Sequence, residues 1–180
     1  VQTAIYTKKG CARAIRYAFE LARERGKKNH VTSITKSNAL GYMTIWDRTF
    51  EEISEEYQDI DSDSLLIDAA CMDLVRRPEV FDVIVAPNLF GDIVTDIGAI
   101  ITGSMGLASS ANINPDTSVP SMFEPTHGSA PDIAGQGIAN PMAQILTGAM
   151  MLRHLGEHTA AADVDAAILE LLEQGEILTP

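Results

Sequence analysis

Asp92 and Asp96 stand four residues apart in the run "GDIVTD". A helix through them puts both carboxylates on one face, with about 5–6 Å between Cβ atoms. Ile93, Val94 and Ile97 surround them, which predicts a partly desolvated face. Two negative charges at that separation repel by about 3 kcal/mol at an effective dielectric near 20. Such a pair calls for a cation, a proton or a basic partner, unless it is an ordinary exposed helix face. Asp68, isolated among apolar neighbours in "LLIDAA", is either a third acidic ligand or a helix N-cap. Carboxylate oxygens are the donors that Mg²⁺ and Mn²⁺ take, with substrate and water completing the shell. Lys36 follows directly on the run "VTSIT". A lysine at a strand end either reaches into a cleft as a base or is simply solvated. Asn38, in the same stretch, suits a turn or a ligand contact.

A second constellation lies in "MFEPTHGSAPDIAGQGIANP" (122–141), which holds three prolines, three glycines and one histidine. It has no apolar period that fits a helix or a strand. Glycines let a backbone approach a ligand closely, and successive free N–H groups form an anion-binding concavity. Pro131 is placed to begin a short helix whose N-terminus favours phosphate. Asp132 can accept hydrogen bonds from a ribose diol, and it would repel a 2′-phosphate. The segment lacks the Gly-x-Gly-x-x-Gly fingerprint, and on residue types alone an irregular surface loop remains open.

The elements that must position these groups alternate between helix and strand. Ala12, Ile15, Phe19 and Ala22 recur at helical spacing between Lys9 and Arg25, and Gly26 is suited to end that helix. "HVTSIT" (30–35) reads as a strand, and Trp46, Phe50, Ile53 and Tyr57 form one stripe of a helix. The acidic run 51–64 reads as a solvated face and loop. "LLIDAACMDLVRR" (65–77) predicts a buried entry into a helix, "VFDVIVA" (80–86) a strand, and 89–101 a helix. A loop-rich stretch follows. Asn140 and Pro141 then supply an N-cap and first residue for the next helix. The last helix spans 161–175 with Val164, Ile168 and Leu171 or Leu172 inward. This order predicts an α/β architecture, with a lobe boundary near Gly103.

Bulk properties exclude more than they assign. A net charge of −12 argues against a nucleic-acid partner. No apolar run is long enough for a membrane span, and the first residues carry no signal-peptide pattern. Two cysteines, Cys11 and Cys71, are too few for a disulfide scaffold, and a cytoplasmic location is expected.

Taken together, "TKSNAL" (35–40), "IDAACM" (67–72), "NLFGDIVTDIGA" (88–99) and "EPTHGSAPDIAGQGIANP" (124–141) closely resemble the metal-dependent decarboxylating dehydrogenases of 2-hydroxy acids. That family includes isopropylmalate, isocitrate and tartrate/D-malate dehydrogenases. "DSLLIDAA", "TKSNA" and "NLFGDIVTD" look most like the tartrate/D-malate branch, with isopropylmalate dehydrogenase next. The resemblance implies an isopropylmalate dehydrogenase-like two-lobe α/β fold. Residues 1–103 would be the metal- and substrate-binding, dimer-forming part and 104–180 the NAD-binding part. It implies an NAD-dependent oxidoreductase that uses Mg²⁺ or Mn²⁺.

By this similarity Asp92 and Asp96 match the metal ligands. Asp68 matches the carboxylate, and Lys36 the catalytic lysine, that a neighbouring subunit lends across a homodimer with shared active sites. Asn38 lies in the lysine's motif on the substrate side. Glu124, His127, Gly128, Ser129, Ala130, Pro131, Asp132, Ile133 and Asn140 match the cofactor loop. Asp132 followed by Ile133 resembles the NAD-preferring form. The substrate-binding arginines and the tyrosine of an upstream half have no counterpart in the sequence. The chain is therefore expected to be a piece cut at both ends, inactive alone. A catalytically incomplete dimerisation and cofactor-binding module is the alternative.

Overall fold

The computed structural model describes residues 1, 3–115 and 118–175 and divides into two compact units, Val1–Ile101 and Thr102–Pro180. In the first unit, α1 (Lys8–Arg25) starts where the Thr7 hydroxyl accepts the Gly10 N–H at 3.1 Å. It ends at Gly26, whose φ of 53° is left-handed and suits a residue without Cβ. The helix buries Cys11, Ile15, Ala18, Phe19 and Ala22. Three of the four residues its spacing selected are buried; Ala12 is only partly so, and Cys11 and Ala18 join them.

β1 (His30–Thr35) is the middle strand of a three-stranded parallel sheet, between β2 (Asp61–Leu66) and β3 (Val83–Val85). Strand alternation sends Val31 to one face and Ile34 to the other. On the first face α1 and α2 (Thr44–Ser54) close a core that holds Phe19, Trp46, Phe50 and Tyr57. Trp46 Nε1 donates to Ser33 Oγ at 2.9 Å, which satisfies two buried polar groups in that layer. Phe19 stacks on Tyr57 at 4.8 Å between ring centroids. On the other face α3 (Ile67–Arg76) and α4 (Asn88–Ile101) close a second core with Ile34, Ala70, Leu74, Phe90 and Val94. Each fully buried Phe or Ile of these cores contributes about 1.5–3 kcal/mol. The result is a helix–sheet–helix sandwich.

Asp82, the residue before β3, ties the carboxyl end of α1 and the loop that leads into β1 to the sheet. Its side chain is only 1% exposed and accepts from Arg25 Nε and the Lys28 N–H, each at 3.1 Å. Burial pushes its carboxyl up, but Arg25 and the backbone donors outweigh that and hold it below the usual aspartate range.

Several expectations need correction. The acidic run 51–64 is not all solvated helix and loop, because its end forms strand β2 with Asp61–Ser64 exposed at the sheet edge. Tyr57 is buried as expected, but it lies beyond the end of α2. β3 is shorter than the seven residues read as a strand, because Pro78–Val80 form a turn of 3₁₀ helix.

The second unit holds two short antiparallel strands, β4 (Ser109–Asn112) and β5 (Met122–Pro125). Both lie where only loop was expected. Asp116 and Thr117, within that stretch, lie outside the described residues. α5 (Met142–His154) packs on both strands and on α6 (His158–Gln174). α6 starts three residues earlier than its spacing suggested. It buries Ala161 and Ile168, while Leu172 is 47% exposed, so Leu171 and not Leu172 turns inward. Among the described residues no helix is long and apolar enough to cross a membrane.

Candidate functional site

The carboxyl ends of β1 and β2 lie side by side, since Thr35 pairs with Leu66 in the parallel register. Lys36 is the next residue after β1, and Asp68 sits in the first turn of α3 just after β2. Lys36 Nζ donates to Asp68 Oδ1 at 2.7 Å. The lysine is 26% exposed and the aspartate 63%. The Lys36 ammonium, followed by backbone N–H groups at the helix start, holds the Asp68 carboxyl below the usual range. Asp68 is not an N-cap: Leu66 occupies that position, and no side chain caps it. Asn38 is exposed in the turn after β1, where the N–H groups of Ala39 and Leu40 both donate to the Lys36 carbonyl.

Asp92 and Asp96 share a face of α4, as their spacing required. That face is not desolvated in the single chain, because Phe90, Val94 and Ala99 take the buried side and both aspartates are exposed. Their mutual repulsion then falls to roughly 0.8 kcal/mol at the dielectric of water. The face is nonetheless apolar around them: Leu89, Ile93 and Ile100 are 61%, 42% and 66% exposed. α3, which packs on α4, exposes Met72 and Val75 in the same manner. Among the described residues no three His, Cys, Asp or Glu side chains converge to hold a metal. One chain therefore brings Lys36 and Asp68 together but forms no three-acid cluster with Asp92 and Asp96.

In the second unit the Gly/Pro-rich segment forms one side of a cleft of about 820 Å³. His127, Gly128, Ser129, Ala130, Ile133 and Asn140 line it. Glu124 on β5, Pro131 and Asp132 are exposed but do not line it. Pro131 begins a series of turns, not a helix: the Ile133 N–H donates to the Ala130 carbonyl and the Gln136 N–H to that of Ile133. The reason is local. Ala130 is left-handed at φ 42°, and Gly135 and Gly137 reverse the chain again at 78° and 69°. Any phosphate here would meet loop N–H groups and not a helix end. The His127 Nδ1–H donates to the Gly128 carbonyl at 2.9 Å. Asn140 Oδ1 accepts the Met142 N–H at 2.9 Å and so satisfies the first N–H of α5, but the N-cap position is Pro141, which was expected as the first helical residue.

Ser104 and Gly106 also line the cleft, and sequence reasoning passed over them. They sit in "GSMGLASS", whose small residues read as linker. The signal is steric. A Cβ on Gly106 would lie 2.9 Å from Asn140 Cβ, so this glycine permits a close approach.

The sequence model for isocitrate/isopropylmalate dehydrogenase matches residues 1–180. A probable tartrate dehydrogenase/decarboxylase of Bacillus subtilis is 53% identical over 175 residues, covering 97% of this chain and 48% of that protein. A 3-isopropylmalate dehydrogenase of Thermobifida fusca is 49% identical over 174 residues, covering 96% and 49%. The crystal structure of isocitrate dehydrogenase from Methylococcus capsulatus superposes with a TM-score of 0.94 at 46% identity, covering 99% of this chain and 52% of that one. The chain spans about half the length of the curated relatives it matches.

Proposed function

The chain belongs to the isocitrate/isopropylmalate dehydrogenase family, and from that premise we propose that it serves in an NAD-dependent, Mg²⁺- or Mn²⁺-dependent enzyme. The reaction is oxidation and decarboxylation of a β-carboxylated 2-hydroxy acid such as tartrate or D-malate. The observation that carries the reading is the Lys36–Asp68 pair, 2.7 Å apart at the carboxyl ends of adjacent parallel strands. Ligands of open α/β sheets gather at such ends.

The donor chemistry fits the metal. Asp92 and Asp96 offer hard oxygens one turn apart on an exposed face, and Asp68 from a second copy would complete the set. The exposed apolar residues of α3 and α4 support that second copy, because an apolar patch of this kind marks an association surface. When bound, the ion supplies Lewis-acid polarisation of the substrate's hydroxyl and carboxylate, and NAD accepts the hydride. Lys36, as the neutral amine, would take the hydroxyl proton and become the ammonium that Asp68 holds. In this reading Asn38, exposed in the turn after β1, contacts the substrate. The β-keto acid left by hydride loss can then release carbon dioxide.

The cofactor cleft suits a nucleotide in size and has the open backbone that close approach requires. In this reading His127–Ala130, Ile133 and Asn140 cradle the dinucleotide in the cleft, and the part that extends beyond the lining meets exposed Pro131, Asp132, which accepts from the ribose, and Glu124 on β5. Two free cysteines, Cys11 and Cys71, support a cytoplasmic location.

The test is NADH formation by the full-length protein with Mn²⁺ and a panel of β-carboxylated 2-hydroxy acids. Turnover that disappears in Lys36→Met is expected; a folded protein that oxidises none of the panel refutes the proposal. A second substrate reading, 3-isopropylmalate, is supported by the 49% identity to the Thermobifida fusca enzyme. The ratio of kcat/KM between 3-isopropylmalate and D-malate separates the two. The 180 residues alone are expected to bind dinucleotide without turnover, as a dimerisation and cofactor module.

A further inference from the structure

The peptide unit between Asp132 and Ile133 is held at both ends. Its N–H, from Ile133, donates to the Ala130 carbonyl at 3.1 Å. Its C=O, on Asp132, accepts from the Gln136 side-chain amide Nε2 at 2.8 Å. A peptide unit is planar, so holding it fixes the torsion after the Asp132 Cα and the one before the Ile133 Cα together. Ile133 lines the cleft and Asp132 does not. The clamp therefore sets the direction of the Asp132 carboxylate relative to a wall of the cleft.

Little else braces this turn. Asp132 and Gln136 are both exposed, so no core packing holds either. Ala130 carries a Cβ at φ 42°, a left-handed conformation that persists only where its surroundings enforce it. The other bond from Gln136, its backbone N–H to the Ile133 carbonyl, is longer at 3.2 Å. Gly135 and Gly137, at φ 78° and 69°, reverse the chain on either side of Gln136 and bring it back over the turn. Gln136 itself does not line the cleft. An exposed amide can exchange its protein partner for water, so this bond adds little to global stability. Its consequence is local order.

We propose that Gln136 is a positioning residue for the dinucleotide, holding Asp132 in the orientation that meets the ribose before the ligand arrives. The inference rests on the reading of the cleft as the NAD site with Asp132 on the ribose. A turn ordered in advance loses less freedom on binding, and the gain appears as affinity.

The test is NAD binding to the full-length protein by titration calorimetry, in the parent, Gln136→Leu, Asp132→Ala and the double variant. Leucine keeps the bulk of Gln136 and removes its donor. Gln136→Leu should weaken NAD binding by about three- to tenfold. Its Tm should stay within about 1 °C of the parent, and kcat at saturating NAD within about twofold. In the Asp132→Ala background the same change has no carboxylate left to misplace, and its effect should fall below about twofold. Unchanged affinity in Gln136→Leu, where Asp132→Ala does weaken binding, overturns the positioning role and leaves the cofactor reading standing. If Asp132→Ala binds NAD as the parent does, Asp132 is not on the ribose and the proposal falls with that reading. An equal loss in both backgrounds, or a Tm lowered by several degrees in Gln136→Leu, also overturns it.

Discussion

Gly106→Ala offers a sharp test of how the cleft is built. Gly106 lies in the short 3₁₀ turn Met105–Leu107, and its φ is not positive, so the backbone accepts alanine without strain. Taken alone, the change should stabilise by about 0.4–1 kcal/mol through the unfolded chain. Packing reverses this. The new Cβ would stand 2.9 Å from Asn140 Cβ and 3.1 Å from Asn140 Cγ, closer than side chains tolerate. Overpacking of this kind costs about 1–3 kcal/mol. If Asn140 yields, its side chain leaves the Met142 N–H that it accepts at 2.9 Å, and a lost helix cap costs about 1 kcal/mol more.

The net expectation is a loss of about 2 kcal/mol, or roughly 4–8 °C in Tm for a chain of this size. Thermal unfolding followed by circular dichroism reads it. The double variant with Asn140→Gly isolates the cause. Asn140→Gly alone forfeits the cap, but alanine at 106 then meets no Cβ, and its cost should shrink by at least about 1 kcal/mol. NAD affinity should fall with Gly106→Ala, since both residues line the cleft. A Gly106→Ala protein as stable as its parent, or one equally destabilised in both backgrounds, would refute the steric reasoning.

Three further outcomes are expected. Asp82→Asn should cost about 2 kcal/mol in urea unfolding at neutral pH, below the usual figure for a buried pair because Arg25 is 39% exposed. Its carboxyl is depressed in the folded state, so the stability it contributes is present above the unfolded value near 4 and disappears as pH falls through the folded one; the variant and parent should converge in acid. Lys36→Met should move the Asp68 titration, followed by carboxyl ¹³C NMR, up towards the ordinary aspartate value, and an unmoved titration would dissolve the pairing. Asp132→Lys should raise the NADP-to-NAD ratio of kcat/KM by roughly tenfold, equivalent to 1.4 kcal/mol; an unchanged ratio removes Asp132 from the ribose.

What was legible in the sequence follows from what a period can report. α1 and the Trp46–Phe50–Ile53 stripe were visible because one face of each helix is buried by neighbours on a single side. β2 was hidden because "DSDSLL" alternates nothing: a sheet-edge strand that exposes Asp61–Ser64 has no apolar face until Leu65. Charged edges of that kind discourage further pairing. β4 was hidden because Ser, Ala and Asn carry no β-propensity to read, and β5 because Phe123 is the one strand-favouring residue in a four-residue strand that ends in Glu and Pro. The resemblance pointed to Lys36 and Asp68, but their contact comes from the Thr35–Leu66 register, which no local pattern specifies. Nor could spacing tell which side of α4 is buried. Phe90 and Val94 point in while Leu89 and Ile93 point out, a choice made by α3.

That choice has energetic consequences for the acids. Association through the α3–α4 face would bury Leu89, Ile93 and Ile100 favourably, at about 25 cal/mol for each Å² of apolar surface. It would carry Asp92 and Asp96 out of water in the same step. Desolvating a carboxylate costs several kcal/mol unless a partner compensates, and the repulsion that solvent screens in the single chain returns as the local dielectric drops. The apolar residues and the aspartates therefore pull in opposite directions on one helix face. A divalent cation would reconcile them, because its charge would offset the desolvation cost of the two carboxylates.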